Sequence, residues 1–196
     1  MDFDGAVVTD PRWASGATIN ALPSGLSNEK ITEIWKVIAE DFRPFDVNVT
    51  TVESDYTNGK NGSRMRCIFT PTTDAMPGSG GVALFGSFKS SGTTPCWTFN
   101  GTGSSATSTT AVKVASMTGS HEFGHTFNLR HDGDTSQTGS SGVYYAGHGT
   151  GVTSWGPIMG APFTASVVQW SKGQYLNANN TEDDLAIISG TFFGVG

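Results

Sequence analysis

Apolar residues recur at intervals of three and four positions between residues 29 and 42. They are Ile31, Ile34, Trp35, Ile38 and Phe42. This spacing places all five on one face of an α-helix, so the pattern predicts an amphipathic helix that packs against a core. Ser27 or Asn28 can cap the start of this helix, and Pro44 is expected to end it.

Shorter apolar stretches, bounded by glycine, proline and polar residues, predict β-strands. The predicted strands are 3–8, 47–51, 65–70, 81–88 and 96–99. Between the second and third of these strands, the asparagine–glycine pairs of residues 56–63 predict a loop.

The pattern changes in the second half of the chain. A linker rich in Gly, Ser and Thr is predicted at 101–108, followed by a long helix over 109–127. Residues 132–160 show no sustained period and predict an irregular lobe. Acidic residues at 182–184 favour the start of a last helix, which is expected to end near Gly190.

Length and charge narrow the functional class. The 196 residues fit a single domain, predicted as 1–196. The net charge of −6, from 11 Lys and Arg against 17 Asp and Glu, excludes a basic surface for nucleic acid. No apolar run reaches the roughly 18 residues that a membrane span needs. The N-terminus does not resemble a signal peptide, so we expect any signal and pro-segment to have been removed.

Two features favour a location outside the cell. Only 14% of the residues are charged and 26 are glycine, a composition more usual in secreted proteins. Cys67 and Cys96 both fall in predicted strands. A disulfide between them would close a loop of about 30 residues and stabilise the fold by roughly 3–4 kcal/mol. Two free buried thiols are the alternative, but we predict the disulfide and secretion.

Three of the four histidines lie within eleven residues, in the segment HEFGHTFNLRH. His121 and His125 are one helical turn apart, so their imidazoles project from the same face and can bind one metal ion. Glu122 lies beside them, where a carboxylate can accept a proton from water. His131 can reach the same ion only if the chain turns sharply. Asn128 favours that turn, because Asn adopts positive φ at modest cost.

Three imidazoles with an open fourth position are typical of a catalytic zinc site. The alternative is three unconnected histidines around a helix end, but their spacing around Glu122 makes a chance origin rare. The sequence therefore predicts one zinc ion bound by these histidines.

This segment resembles the extended zinc motif of the metzincin metalloproteases, H-E-x-x-H-x-x-G-x-x-H, with Asn128 in place of the glycine. Asp132, directly after the third histidine, makes the chain most similar to the reprolysin (adamalysin-like) branch. Residues 155–160 look like the Met-turn of that family, with Met159 beneath the metal. Residues 41–50 and 170–185 look like stretches of secreted bacterial reprolysin-like catalytic domains.

The resemblance implies an α+β fold of the α/β/α metzincin type. It would have a twisted, mixed, mostly parallel sheet, a backing helix and an active-site helix in an upper subdomain of about 1–128. A smaller irregular lobe with the Met-turn and a C-terminal helix would follow at about 129–196. Asn128 and Asp132 are expected to have structural roles around the metal site, with Asp132 orienting the Met-turn.

The resemblance also implies how a substrate binds. An extended polypeptide would pair with an exposed sheet edge. The residues expected there are Gly81, Val82, Ala83 and Leu84. An ordinary interior strand is the alternative for this segment. Pro162 and Phe163, just after the Met-turn, are expected either to line a side-chain pocket or to belong to the core.

The sequence as a whole predicts a monomeric zinc endopeptidase that acts on polypeptides. Two other functions stay open: a non-catalytic adhesion module that uses zinc only for stability, and an amidase that hydrolyses cell-wall peptides. Glu122 favours catalysis, because a structural zinc site has no use for this carboxylate. Asp132 and Asp134 together give a weak indication of calcium binding.

Overall fold

The centre of the fold is a three-stranded mixed sheet. The computed structural model of the chain describes residues 1–60, 62–90, 93–100 and 109–193. The strands are β3 (Cys67–Thr70), β4 (Gly81–Val82) and β5 (Cys96–Phe99), in the spatial order β3-β5-β4. β3 and β5 are parallel, whereas β4 pairs with β5 in the antiparallel sense and forms the edge. The predicted linker at 101–108 lies outside the described residues.

Every residue of β3 and β5 is buried, because both faces of the sheet are covered. On one face, Cys67 and Phe69 join the main core. On the other face, Ile68 and Trp97 join a smaller core beneath a hairpin of β1 (Ala6–Val8) and β2 (Ile19–Ala21).

Two long helices cover the main core. They are α1 (Asn28–Asp41) and α3 (Thr109–Thr126). α3 meets both α1 and β3 at Gly119. A β-carbon there would lie 2.8 Å from Ile38 Cδ1 and 2.9 Å from Phe69 Cζ. The absence of a side chain at Gly119 therefore lets the three elements approach closely.

The chain after α3 has little regular structure. Its elements are the single-turn α4 (Ser140–Val143), the parallel pair β6 (Trp155–Pro157) and β7 (Val167–Gln169), and α5 (Asp184–Phe193). Ile188 of α5 is fully buried in the main core, so the last helix ties this lobe to the rest of the molecule. The predicted α+β fold class is confirmed, while the division into two subdomains stays a prediction.

Several predicted elements differ in the structure. Residues 47–51 form no strand, and the predicted loop contains part of a short helix, α2 (Glu53–Asn58). The predicted strand 81–88 is reduced to the two residues of β4, because the chain turns at Gly86, whose φ is 66°. α5 continues through Gly190, where a β-carbon would contact none of the described residues, so the glycine does not end the helix.

The predicted disulfide is wrong. Cys67 and Cys96 are partners in the register of the parallel strands and are both buried, but their sulfurs are not bonded. Each thiol instead has its own neighbour. The Cys67 sulfur lies 3.4 Å from the Thr98 hydroxyl, and the Cys96 thiol donates to the carbonyl of Arg66 at 3.7 Å. Both cysteines are therefore small apolar residues of the core.

Among the described residues, no helix combines the length and the apolarity that crossing a membrane requires.

Candidate metal centre

The last two turns of α3 present two imidazoles side by side. His121 and His125 are 9% and 5% exposed, and their ring centroids are 4.7 Å apart. A helical spacing of four residues gives this arrangement directly, because such residues lie one above the other on the same face.

A left-handed turn then brings the third histidine to the pair. Asn128 has φ of 79°, and its N–H donates to the His125 carbonyl at 2.8 Å. The N–H of Leu129 donates to the Gly124 carbonyl at 3.1 Å, which completes the end of the helix. After this turn the ring of His131 lies 4.7 Å from that of His125 and 5.1 Å from that of His121.

The orientation of the rings fits a metal ion. Nδ1 of His121 lies 2.9 Å from the Ile158 carbonyl oxygen, and Nδ1 of His125 lies 2.8 Å from that of Leu129. A carbonyl can only accept, so each Nδ1 carries the proton and each Nε2 offers a lone pair. The nearest pair, Nε2 of His125 and Nε2 of His131, is 2.9 Å apart.

The distances and charges also suit zinc. One nitrogen from each histidine lies within 4.8 Å of the other two, while tetrahedral zinc with bonds of 2.0–2.1 Å separates its ligand atoms by about 3.3 Å. Burial lowers the pKa of His121 to about 3 and that of His131 to about 4, with further lowering by the neighbouring imidazoles. Burial lowers the pKa of His125 as well, so the neutral form that a metal ligand requires is favoured in all three rings.

Glu122 lies beside the histidines but turns toward the edge strand. A β-carbon at Gly81 would be only 2.6 Å from its Oε1. The residue is 5% exposed, and its Oε2 has no hydrogen-bond partner among the described residues. Burial raises the pKa of Glu122 well above its usual range. A buried carboxyl without a partner is suited to exchanging protons with a bound molecule.

The segment that resembles the Met-turn lies directly beneath this cluster. Met159 is fully buried, and its sulfur packs against Gly124, the residue before His125 in the H-E-x-x-H segment. Its carbonyl accepts the N–H of Asp132 at 2.9 Å. The carbonyl of the preceding residue, Ile158, accepts the Nδ1 proton of His121. The turn therefore holds His121 directly and His131 through the neighbouring Asp132.

Asp132 is 1% exposed, and its Oδ2 has no hydrogen-bond partner among the described residues. Burial, with the charge of Glu182, raises the pKa of Asp132 to about 7. Asp132 is connected to the Met159 segment through its backbone N–H, which donates to the Met159 carbonyl, and not through Oδ2. Asp134 is bound to the N–H and hydroxyl of Ser136. Among the described residues, only the three histidines form a group of at least three potential metal ligands, so calcium binding is not supported.

The residues predicted to bind substrate lie in different environments. Gly81 and Val82 form β4 at the edge of the sheet, whereas Ala83 and Leu84 follow it without strand pairing. Pro162 is buried against Gly156. Phe163 is 43% exposed.

Two aromatic residues at the cluster were not identified from the sequence. The ring of Phe85 lies 4.8 Å from His125, and the ring of Tyr144 lies 4.4 Å from His131 and 6.2 Å from His121. Both side chains are exposed, by 57% and 36%. Phe85 lies in the predicted strand 81–88 and Tyr144 in no predicted element, so only their closeness to the histidines in the folded chain identifies them as part of the cluster.

Comparison with known proteins agrees with this geometry. The model of one family, Reprolysin_5, described as metallo-peptidase family M12, matches residues 36–171. The match includes all three histidines and Met159, and it confirms the reprolysin-like resemblance. No curated protein and no solved structure matches the chain significantly. The matched region spans more than half of the sequence, and the chain therefore belongs to metallo-peptidase family M12, a family of zinc-dependent peptidases.

Proposed function

We propose that this chain is the catalytic domain of a secreted metzincin endopeptidase in which Glu122 is the general base and acid. The observation that carries the proposal is the buried carboxyl of Glu122, which has one oxygen without a partner among the described residues and lies next to three neutral imidazoles. Membership of the M12 family supports peptide hydrolysis. The role of Glu122, the cleavage of internal bonds and the location outside the cell are the new parts of the proposal.

His121, His125 and His131 would hold the zinc ion. When bound, zinc supplies a Lewis acid that polarises the peptide carbonyl and makes water acidic enough to react near pH 7. The Glu122 carboxyl, with one oxygen that has no partner among the described residues, is placed to accept a proton from water and later to release it.

The proton transfers follow from these positions. Glu122 takes a proton from the attacking water as the water oxygen forms a bond with the carbonyl carbon. It then gives this proton to the peptide nitrogen as the carbon–nitrogen bond breaks. The amine leaves uncharged, and the water oxygen remains in the new carboxyl group.

The position of β4 supports an extended substrate. β4 is the edge strand of the sheet, and Gly81 in this strand directly contacts the Glu122 side chain. A peptide that adds to this edge as a further strand would pass beside the base. The absent side chain at Gly81 allows that close approach.

The first experiment is cleavage of an unfolded protein by the purified, zinc-loaded chain, with and without a zinc chelator. Mass spectrometry of the products should show chelator-sensitive cuts within the substrate chain. Release of single terminal residues would contradict an endopeptidase. Cleavage of cell-wall peptides alone would favour the amidase, and no cleavage by folded, zinc-loaded protein would favour the adhesion module.

A matched pair of variants tests the base. Glu122→Gln should bind one zinc ion per chain, as the wild type does, but should lose at least about 100-fold in turnover. Glu40→Gln is the control, because the side chain of Glu40 is 70% exposed on α1 and forms an ion pair with the exposed Arg43. Substantial activity in Glu122→Gln would refute the assignment of the base.

A further inference from the structure

Tyr144 is a second polar residue at the metal centre. Its ring centroid lies 4.4 Å from that of His131 and 6.2 Å from that of His121. Phe85, which contacts His125 from another segment, has no hydrogen-bond donor. Of these two rings at the ligands, Tyr144 alone can donate a hydrogen bond to a bound molecule.

The hydroxyl of Tyr144 is available for such a bond. It has no hydrogen-bond partner among the described residues, and the side chain is 36% exposed. The other two tyrosines of the same lobe differ in this respect. The Tyr145 hydroxyl is 3.0 Å from Nδ1 of His148, and the Tyr175 hydroxyl donates to the carbonyl of Gly133 at 2.8 Å.

The backbone holds Tyr144 in a fixed relation to the cluster. Tyr144 ends α4, and its N–H donates to the Ser140 carbonyl at 2.8 Å. The next residue, Tyr145, donates to the Asp132 carbonyl at 2.7 Å and accepts the N–H of Ala161 at 2.9 Å. These two bonds of Tyr145 connect the backbone next to Tyr144 to the segment that follows His131 and to the segment that follows Met159.

We propose that the Tyr144 hydroxyl donates a hydrogen bond to the substrate carbonyl oxygen as that oxygen gains negative charge during attack by water. Tyr144 would then be a catalytic residue in addition to Glu122. No proton needs to leave the phenol, because the bond strengthens as the charge on the oxygen grows. An interaction that is stronger in the transition state than in the ground state raises kcat and leaves KM nearly unchanged. This inference rests on the proposed endopeptidase function.

The test compares Tyr144→Phe with Tyr145→Phe in the zinc-loaded protein. Tyr144→Phe keeps the ring against His131 and removes only the hydroxyl. We expect about a 100-fold lower kcat with KM changed by less than about twofold. Tyr145→Phe should keep the kcat of the wild type, because its hydroxyl bonds His148 and contacts none of the three ligands.

A binding measurement provides a readout that is independent of turnover. A phosphinic peptide, which mimics the tetrahedral transition state, should bind Tyr144→Phe about 100-fold more weakly than it binds the wild type. An uncleaved peptide should bind equally to Glu122→Gln and to the double variant Glu122→Gln/Tyr144→Phe. Zinc content should stay at one ion per chain in all these proteins.

Two results would overturn the role of Tyr144. One is an unchanged kcat and phosphinic peptide affinity in Tyr144→Phe. The other is loss of zinc from this variant, which would mean that Tyr144 only positions His131. In both cases the wild type remains active and Glu122→Gln inactive. If the wild type instead makes no chelator-sensitive cuts, the proposed function fails, and the role of Tyr144 is refuted with it.

Discussion

The sulfur of Met159 packs against the backbone of Gly124, so closely that a β-carbon at Gly124 would overlap it. Such a β-carbon would also lie 3.2 Å from Cζ3 of Trp170. The glycine directly before the second histidine of the H-E-x-x-H segment is therefore a packing requirement, because it lets the turn beneath the histidines reach the helix that carries two of them.

Gly124→Ala should destabilise the protein by about 1–3 kcal/mol, the usual cost of adding a methyl group to a filled core. It should also weaken zinc binding, because Ile158, next to Met159, accepts the His121 proton. Gly190→Ala is the matched control, since Gly190 also lies in a helix but a β-carbon added there would have no neighbour within 4 Å among the described residues. That variant should be stabilised by up to about 1 kcal/mol. Denaturant unfolding and zinc titration measure both effects, and equal stability changes would contradict the packing argument.

Gly81→Ala should reduce activity without removing zinc. The new β-carbon would lie 2.6 Å from Oε1 of Glu122 and 2.7 Å from the carbonyl oxygen of Trp97. Because Trp97 contributes backbone of the neighbouring strand, the conflict cannot be relieved by rotating one side chain. Displacement of the base by about 1 Å can lower kcat/KM about 100-fold.

The control for this variant is Gly80→Ala, because a β-carbon at Gly80 would meet no atom of the described part of the chain within 4 Å. Steady-state kinetics and zinc analysis of both proteins make the comparison. Wild-type kcat/KM in Gly81→Ala would show that the position of Glu122 is not critical.

Asn128→Gly and Asn128→Ala should differ in zinc affinity. Asn128 has φ of 79°, which glycine adopts freely and which costs alanine roughly 1–2 kcal/mol. The alanine variant should therefore hold His131 less well and bind zinc more weakly than the glycine variant does. Competition with a fluorescent chelator measures the two affinities. Equal binding by both variants would mean that the turn does not limit metal binding.

The metal site could be predicted from the sequence because it depends on local geometry. His121 and His125 face the same way in any helix, and Asn128 is among the few residue types that favour the turn toward His131. Met159 was found through a family resemblance. Tyr144 was not found, because its place beside His131 arises from contacts of the backbone at 144–145 that leave no periodic signal.

The predicted strand at 47–51 is wrong, because its backbone carbonyls bond to groups other than a neighbouring strand. Val47 and Val49 alternate with polar residues because both are partly buried against the core, not because they pair in a sheet. Carbonyls in this segment bond elsewhere. That of Val49 accepts the indole N–H of Trp35 at 2.7 Å, and that of Thr50 accepts the N-terminal ammonium of Met1 at 2.7 Å. Alternation of apolar and polar residues indicates that one face of a segment is buried, whereas a strand also needs hydrogen-bond partners for its backbone.

The fully buried carboxyl of Asp184 makes stability depend on pH. Its Oδ2 accepts the Ser171 N–H at 2.9 Å, but Oδ1 has no hydrogen-bond partner among the described residues. Burial, followed by the charges of Asp132 and other nearby acids, raises the pKa of Asp184 from 3.8 to about 7. The folded state therefore keeps a proton that the unfolded chain loses near pH 4. Hence the free energy of unfolding should fall as pH rises from about 4 to about 7, by at most about 1.4 kcal/mol per pH unit.

Asp184→Asn removes this titration, so its unfolding free energy should fall less over the same range. The variant should gain stability relative to the wild type as pH rises toward 7. Asp74→Asn is the control, because Asp74 is exposed and is not one of the acids whose charge raises the pKa of Asp184. Urea unfolding from about pH 4 to about pH 8, with chelator present so that zinc does not contribute, gives the three curves. If the curve of Asp184→Asn runs parallel to that of the wild type, another acid carries the pH dependence; Asp132 is then the next residue to replace, since its pKa is also raised to about 7.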